Sequence, residues 1–411
     1  MADPDSARLA RLRRSHPTLA DLERSARRRI PRFAYDFIQG GAGDDSGAAR
    51  NRRALADVQL VPRYGVEVGK VDTSVTLFGR RYAAPVGIGP VGMDGLMWPG
   101  ATRLLAEAAQ RHGLPYLCGT LATETIETVC ALAPDVTWFQ LYPMPAEDHR
   151  LSLDLAWRAW NAGAHVLAAT LDVPVRTKRP RDLRNGFTMP FRLRPRFAAQ
   201  AAMAWPWMMA LAKAGVPTFA NIERYSGTED PAAFVGRNVG GGFSWEALAR
   251  LRDAWPRAMM VKGVLHPADA ERAVRLGIDG ILVSNHGGRQ FDAAPAAADV
   301  LPAIAAAVGD RATVMLDSGI ASGVDVLRAM ALGAQGALSG RAFLLAMAGI
   351  GDLGARHMAA ALMEELETAC AQCGLTSPED APSLARRHPG AWTAQEFGPA
   401  PATDTQTEAA E

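Results

Sequence analysis

Residues 280–292, which read GILVSNHGGRQFD, combine side chains that can do chemistry on an anionic molecule. An apolar run leads into a short polar turn that presents Ser284, His286 and Arg289. Histidine titrates near neutral pH and can act as a general base, and arginine binds a carboxylate through two parallel hydrogen bonds. We interpret the turn as a site for an anionic substrate that loses a proton. The segment by itself is also consistent with an ordinary strand end that carries a surface histidine and arginine.

Composition bounds the class of protein before other motifs are considered. The chain has 411 residues, of which 48% are hydrophobic and 21% charged, as in a soluble globular protein of one large or two average domains. The net charge of +1 gives no reason to expect nucleic acid as a partner. The four cysteines are too few for a disulfide framework and lack zinc-ligand spacing, so we expect a reducing compartment and no metal site.

From residue 84 onward, short apolar runs alternate with helical patterns. The eight runs predicted as strands are 84–89, 114–119, 136–142, 164–172, 258–264, 280–284, 312–317 and 336–340. Runs that are apolar throughout indicate strands buried on both faces, as in a parallel sheet. Eight strand–helix units predict the α/β class and a (β/α)8 TIM barrel. A doubly wound sheet fits less well, because no GxGxxG turn follows the first strand.

Polar side chains follow most of the predicted strands at their carboxyl ends. In order from the third strand to the eighth they are Gln140, Tyr142, Asp172, Lys262, His286, Asp317 and Arg341, the last preceded by Gly340. The carboxyl ends of the strands of a TIM barrel form one face, on which active sites lie. The sequence therefore predicts that these residues surround a single site.

The segments outside the barrel pattern suggest a division of the chain. We predict an N-terminal helical segment covering the barrel over 1–60, the barrel over 61–373 with an insertion at about 180–242, and an extension over 374–411. The N-terminal segment includes an aromatic helix that ends at Gly40. The extension is rich in proline and alanine and reads as a frayed tail.

The N-terminus and the insertion both bear on where the protein lies in the cell. The N-terminal arginines are not followed by the apolar core of a signal peptide, so we expect a cytoplasmic protein. Residues 192–196 are basic, and 197–211 carry no charge but include Trp205 and Trp207. Such a stretch can lie in a membrane interface, which makes 192–212 a candidate for peripheral contact with the inner face of the cell membrane. We favour the simpler interpretation, a loop packed over the active site or against another subunit.

Six short motifs together resemble the FMN-dependent α-hydroxy-acid dehydrogenase and oxidase family. They are FQLY at 139–142, TLD at 170–172, VKG at 261–263, SNHGGRQ at 284–290, LDSG at 316–319 and SGRA at 339–342. The resemblance runs from about residue 31 to about residue 373. It is strongest to the membrane-associated mandelate dehydrogenase and lactate dehydrogenase branch, through WPG at 98–100 and RDLRNGF at 181–187.

The resemblance implies an activity and its partners. FMN would be the cofactor, an L-2-hydroxy acid such as mandelate or lactate the substrate, and the 2-oxo acid the product. A quinone or another carrier would accept the electrons, and the protein would be a homotetramer. An oxidase that gives hydrogen peroxide, a non-redox FMN barrel and a catalytically altered FMN-binding barrel remain as alternatives.

The resemblance also implies a role for individual residues. His286 is the active-site base, and Asp172 orients it. Arg289 and Arg179 bind the substrate carboxylate, and Tyr142 hydrogen-bonds the substrate. Lys262 lies beside the flavin and stabilises its reduced form. The residues expected against the flavin ring are Pro90, Gly92, Gly119, Gln140, Thr170 and Ser284, and those near the phosphate are Asp317, Ser318, Gly319, Gly340 and Arg341.

For some of these residues, the alternative to a catalytic role is a purely structural one. Asp172 and Lys262 would form an ion pair inside the barrel, and Tyr142 would be a packed barrel residue. The residues leave open whether the α-hydrogen departs as a proton or as a hydride, since His286 can serve either route.

Two positions depart from the family pattern and a third bears on the acceptor. Phe37 stands where the family has a tyrosine that contacts the substrate carboxylate, which predicts weaker carboxylate binding or a bulkier, more apolar substrate. Ala321 stands where the family has an arginine near the phosphate, which predicts a more readily lost cofactor. Gly92 is typical of the dehydrogenases, whereas oxidases of the family often carry alanine there.

Overall fold

The computed structural model describes residues 4–186 and 195–398, and its centre is a closed barrel of eight parallel strands. The barrel strands β1 to β8 are Val86–Ile88, Tyr116–Gly119, Thr137–Leu141, Val166–Thr170, Ala258–Val264, Gly280–Val283, Thr313–Leu316 and Gly336–Ser339. Each pairs in parallel with its neighbours, and β8 closes on β1 through Ser339 and Ile88. The predicted (β/α)8 fold is confirmed, and every strand begins and ends within two residues of its predicted bounds.

The uniformly apolar runs form strands because both of their faces are covered. Residues 259–261 of β5 and 167–169 of β4 have no exposed surface. The helices that follow the barrel strands are Ala101–His112, Ile126–Leu132, Ala146–Ala162, Trp245–Ala254, Pro267–Arg275, Ala297–Val308, Gly323–Ala331, Arg341–Ile350 and Gly354–Gln372. The opposite end of the barrel is closed by a hairpin, Val75–Leu77 paired with Arg80–Tyr82. Any side chain at Gly280 would collide with the ring of Phe78 in that hairpin.

The N-terminal segment is helical, as predicted, and lies against the site face of the barrel. Its helices are Ser6–Ser15, Leu19–Arg29, Arg32–Gln39 and Ser46–Ala56. A capping box formed by Thr18 and Asp21 starts the second helix. That helix packs closely on Arg341–Ile350, where a Cβ at Gly349 would lie 2.5 Å from the carbonyl oxygen of Leu22. The segment therefore reaches the loop that follows β8.

The interpretation of residues 374 onward as a frayed tail is wrong for the described part. Arg386–Arg387 forms an antiparallel pair with Gln59–Leu60, and the backbone N–H of Trp392 donates to the carbonyl oxygen of Asp299 at 3.0 Å. Leu384 is buried. A few apolar side chains and backbone partners suffice to hold the segment, and composition cannot reveal them. Residues 399–411 of the predicted tail lie outside the described residues. The predicted domain boundaries stay predictions.

In its described residues, the segment between β4 and Trp245–Ala254 contains five helices. They are Pro180–Asn185, Pro195–Met203, Trp205–Ala214, Glu223–Ser226 and Pro231–Asn238. The helices Pro195–Met203 and Trp205–Ala214 each have one packed side. Phe197 of the first and Trp207 of the second are buried, with their rings 5.0 and 6.1 Å from that of Phe33. Their other side is open, with Met203 78% and Trp205 68% exposed. Residues 192–194 of the basic stretch fall outside the described residues. Across 4–186 and 195–398, no helix is both long and apolar enough to cross a membrane.

Candidate active site

A cavity of about 550 Å³ opens at the carboxyl-terminal face of the barrel. The predicted site residues that line it are Phe37, Pro90, Gly92, Gln140, Tyr142, Arg179, Lys262, His286, Arg289, Asp317, Ser318, Gly319, Gly340 and Arg341. Gly119, Thr170, Asp172 and Ser284 are not in the lining and lie behind it. Thr170, for example, accepts a hydrogen bond from Nε2 of Gln140 at 2.7 Å. The barrel thus brings together side chains separated by up to 304 residues in sequence, from Phe37 to Arg341.

His286 is held as a base that faces the cavity. Its Nδ1 lies 2.9 Å from Oδ1 of Asp172, and its Nε2 lies 3.2 Å from the hydroxyl of Tyr142. A carboxylate beside Nδ1 keeps the proton there, which leaves the lone pair on Nε2 free to accept another. The backbone of His286 has a φ of +58°, a conformation that costs energy for a residue other than glycine and that clusters at functional sites. The geometry favours a catalytic role over a surface one.

Lys262 is a buried cation with two carboxylate neighbours. Its Nζ lies 3.4 Å from Asp317 and 3.8 Å from Asp172, and it donates to the hydroxyl of Ser284 at 3.1 Å. Burial alone would lower the pKa of Lys262, but the two carboxylates outweigh burial and raise it. Burial would likewise raise the pKa of Asp172, but the charge of Lys262 and the interaction with His286 outweigh it and lower that pKa. Both groups therefore stay charged at neutral pH.

Gly263 is a functional position that sequence reasoning missed, although the VKG motif contains it. Its φ is +99°, and a Cβ placed there would lie 2.4 Å from Cγ of Asp172. Only glycine accepts both the backbone conformation and this close approach. The glycine after Lys262 is thus what lets the Asp172 carboxylate reach His286.

Two guanidinium groups flank the aromatic ring of Phe37. The guanidinium carbon of Arg179 lies 5.0 Å from the ring centroid and that of Arg289 lies 5.2 Å from it, within cation–π range. Arg289 also donates through Nη1 to the carbonyl oxygens of Phe37 and Gly40, at 2.8 and 2.6 Å, and Arg179 pairs with Asp182. The end of the helix Arg32–Gln39 therefore holds Arg289 in place, and Asp182 holds Arg179. Phe37 retains the packing of a tyrosine at this position and lacks only the hydroxyl.

The far end of the cavity, formed by the loops after β7 and β8, suits a phosphate. Arg341 is partly buried, and its partners are the carbonyl oxygens of Ile38 at 2.9 Å and Gly287 at 3.2 Å. Within the described residues it forms no salt bridge. Burial, with a further contribution from the neighbouring Arg52, lowers the pKa of Arg341 to about 10. A partly buried guanidinium whose hydrogen bonds go to carbonyl oxygens fits a phosphate dianion at the usual phosphate position of TIM barrels.

The cavity is far more positive than the chain as a whole. Its lining includes seven basic residues and two acidic ones, whereas the net charge of the whole chain is +1. Sequence reasoning missed three of the basic residues, which come from the N-terminal segment and the loop directly after β4: Arg52, Arg176 and Lys178. No strand-end pattern points to them. The excess of positive charge matches an anionic substrate together with an anionic cofactor.

A buried amide pair attaches the N-terminal segment to the loop that carries His286. Nδ2 of Asn51 donates to Oδ1 of Asn285 at 2.7 Å, and Nδ2 of Asn285 donates back to Oδ1 of Asn51 at 2.8 Å. Asn285 lies inside the SNHGG motif, but its role was not foreseen. The pair fixes the helix Ser46–Ala56 at the rim of the cavity.

The barrel and its cationic cavity define a class of protein. In this class, a (β/α)8 enzyme holds the phosphate of a cofactor or substrate at the loops after β7 and β8, beside a base on another strand end. The profile of the family described as FMN-dependent dehydrogenase matches residues 26–387. The chain therefore belongs to the FMN-dependent dehydrogenase family, and FMN is its cofactor.

Individual relatives agree with this assignment. The chain is 40% identical over 360 residues to an L-lactate dehydrogenase of Caulobacter vibrioides, an alignment that covers 86% of this chain and 93% of the relative. It is 34% identical over 356 residues to an (S)-mandelate dehydrogenase of Pseudomonas putida, covering 86% and 89%. The crystal structure of the monotopic membrane protein (S)-mandelate dehydrogenase superposes with a TM-score of 0.85 at 32% identity, over 90% of this chain and 99% of that one.

Proposed function

We propose that the protein oxidises an L-2-hydroxy acid to the 2-oxo acid and passes the electrons from FMN to a quinone or another carrier. The observation that carries the proposal is the position of His286, whose Nε2 faces the cavity that Arg289 and Arg179 also line. A base and a carboxylate clamp in one cavity are what the oxidation of a hydroxy acid requires. FMN, when bound, would supply the two-electron acceptor that this oxidation needs and that amino-acid side chains do not provide.

Each nearby side chain has a task in this reaction. Arg289 and Arg179 bind the substrate carboxylate, which leaves the hydroxyl-bearing carbon near Nε2 of His286. His286 takes a proton at Nε2, and the ionised Asp172 stabilises the imidazolium that results. Either the carbon-bound or the hydroxyl proton can be the one transferred. Burial raises the pKa of Tyr142 to about 12, so its hydroxyl keeps its proton and can donate a hydrogen bond to the substrate.

The substrate side chain is proposed to be aromatic or of medium size and apolar. Phe37 supplies an apolar ring at the carboxylate clamp where a hydroxyl would favour small polar acids. Similarity to a lactate dehydrogenase and to a mandelate dehydrogenase supports both lactate-like and mandelate-like acids as first candidates.

The proposed acceptor is a quinone or another carrier, with slow reaction towards oxygen. Gly92 lines the cavity, and a Cβ there would lie 3.0 Å from Cβ of Leu121. An alanine would therefore displace Leu121 or narrow the space beside the flavin. The competing oxidase function predicts that air rapidly reoxidises the reduced protein.

Peripheral binding to the inner face of the cell membrane is proposed through the open side of the insertion helices Pro195–Met203 and Trp205–Ala214. Their exposed Met203, Trp205 and Met209 can enter the interface, and a structurally similar protein is monotopic. Co-sedimentation with anionic vesicles tests this: Trp205→Ser should weaken binding, and Trp157→Ser, at an exposed tryptophan on a barrel helix, should not. The proposed homotetramer is tested by sedimentation velocity.

Anaerobic reduction tests the central proposal. The purified protein is loaded with FMN and mixed with (S)-mandelate or L-lactate while the flavin absorbance near 450 nm is followed. We expect one of the two acids to bleach the flavin and the matching 2-oxo acid to be released. A protein that binds FMN but is not bleached by any of a broad panel of 2-hydroxy acids would overturn the proposal. Air or a quinone is then added to the reduced protein, and recovery of the flavin absorbance identifies the acceptor.

A further inference from the structure

We infer that Arg52 is a second guanidinium for the phosphate of FMN, contributed by the N-terminal segment and facing the same end of the cavity as Arg341. The inference rests on FMN binding. Arg52 does not belong to any of the motifs at the ends of the barrel strands. Ala321, in the loop after β7, lines the same end but has no polar side chain, so the barrel itself contributes only one arginine there.

The position of Arg52 is set by its neighbour in the helix Ser46–Ala56. Asn51 is buried and bound reciprocally to Asn285, which fixes this part of the helix against the loop after β6. Arg52 follows directly and lines the cavity together with Ser318 and Gly319. The next residue, Arg53, is also exposed but is not part of the lining.

Across residues 4–186 and 195–398, neither guanidinium forms a salt bridge. Within the described residues Arg52 forms no hydrogen bond and no salt bridge. Glu23 is in electrostatic range of Arg52, but its carboxylate is engaged by the hydroxyl of Tyr35 at 2.5 Å and by Arg27 at 3.1 Å. The hydrogen bonds of Arg341 in the described residues go to carbonyl oxygens. Asp317 and Asp45 are in electrostatic range and raise its pKa, but burial and the nearby charge of Arg52 outweigh them and lower it.

Two like charges at one end of a cavity repel each other unless an anion lies between them. A phosphate dianion relieves the repulsion and can accept charge-assisted hydrogen bonds from both groups. The loop after β7 turns sharply beside the cavity, with a φ of +85° at Ser318 and +113° at Gly319. Arg52 thus compensates for Ala321, and with it we expect ordinary retention of the cofactor, in contrast to the ready loss that Ala321 alone predicts.

The experiment compares FMN with riboflavin, which has the same ring and no phosphate. Apoprotein is titrated with each and flavin fluorescence is measured. The variants are Arg52→Ala, the charge-retaining Arg52→Lys, and Arg53→Ala as the matched control. We expect Arg52→Ala to raise the Kd for FMN by about tenfold, consistent with one lost hydrogen bond to a charged group, and to leave the Kd for riboflavin unchanged. Arg52→Lys should keep most of the affinity, and Arg53→Ala all of it.

Adding Ala321→Arg to the Arg52→Ala variant should restore FMN affinity, because the lost charge is replaced from the barrel side. An Arg52→Ala protein that binds FMN as tightly as the unmodified one would overturn the inference, as would equal losses for FMN and riboflavin. An unmodified apoprotein that binds no FMN would overturn the proposed function as well, so the two failures are distinguishable.

Discussion

The two ends of the cavity differ in how their charges are balanced. At the base end, Lys262 is paired with Asp172 and Asp317, and His286 with Asp172, all before any ligand binds. At the phosphate end, Arg341 and Arg52 lie without a carboxylate in ion-pair contact within the described residues. The base end is therefore preorganised for chemistry, whereas the phosphate end is completed by the cofactor. Catalysis and cofactor retention should therefore respond to different substitutions.

The largest expected effect is at the base. His286→Gln should lower kcat by about 10³-fold to 10⁴-fold, because it removes the group that accepts the proton. The Kd for FMN should stay within about twofold of the unmodified value, since the phosphate end is untouched. Steady-state kinetics and fluorescence titration give the two values. A parallel loss of FMN affinity would contradict the prediction that catalysis and cofactor binding depend on different ends of the cavity.

Asp172→Asn should lower kcat by about 10²-fold and should also destabilise the fold. The variant leaves Lys262 with one carboxylate instead of two, and removal of one partner of a buried ion pair costs roughly 3 kcal/mol at neutral pH. Because the folded-state pKa of Asp172 is depressed, its contribution is present above the ordinary value of 3.8 and is lost as the pH falls through the lower folded pKa.

Thermal unfolding between pH 3 and pH 7 checks the sign of this effect. The difference in stability between the unmodified protein and Asp172→Asn should be largest at neutral pH and should shrink towards pH 3. A difference that grows as the pH falls would mean that Asp172 is not ionised in the folded protein. The FMN-to-riboflavin affinity ratio serves as the control and should not change.

Removal of FMN should loosen the phosphate end more than the base end. Saturation at about one hundred times Kd stabilises a protein by about 2.7 kcal/mol, so the apoprotein should unfold at a lower temperature. Amide exchange should increase in the helix Ser46–Ala56 and in the loops after β7 and β8, and much less in β4 and β5. Added inorganic phosphate should reverse part of the change. Uniform loosening throughout the barrel would contradict the comparison.

The smallest expected effect is at the carboxylate clamp. Phe37→Tyr restores a hydroxyl beside Arg179 and Arg289 while keeping the ring between them, so KM should fall by up to about tenfold with kcat little changed. Kinetics with a small and an aromatic 2-hydroxy acid provide the measurement. Unchanged KM and kcat for both acids would show that the missing hydroxyl does not limit substrate binding.

Much of the barrel and of the base end could be predicted from the sequence, because both depend on local patterns. A strand buried on both faces needs an uninterrupted apolar run, and the residue at its carboxyl end must face the cavity. The positions of Tyr142, Lys262, His286 and Asp317 follow from these two facts. The motifs SNHGGRQ and LDSG then indicated the family, which the profile match over residues 26–387 confirms.

Other features were decided only by the tertiary structure. Gly263 is needed because Asp172, from another strand, approaches its backbone, and Arg52 faces the cavity because the buried pair of Asn51 and Asn285 sets its helix. The segment that includes Arg386–Arg387 packs where composition indicated a free tail. Local periodicity determines which residues form a strand and which way they face. It contains no information on which distant backbone or charge comes within a few ångströms, since that depends on how the finished elements pack.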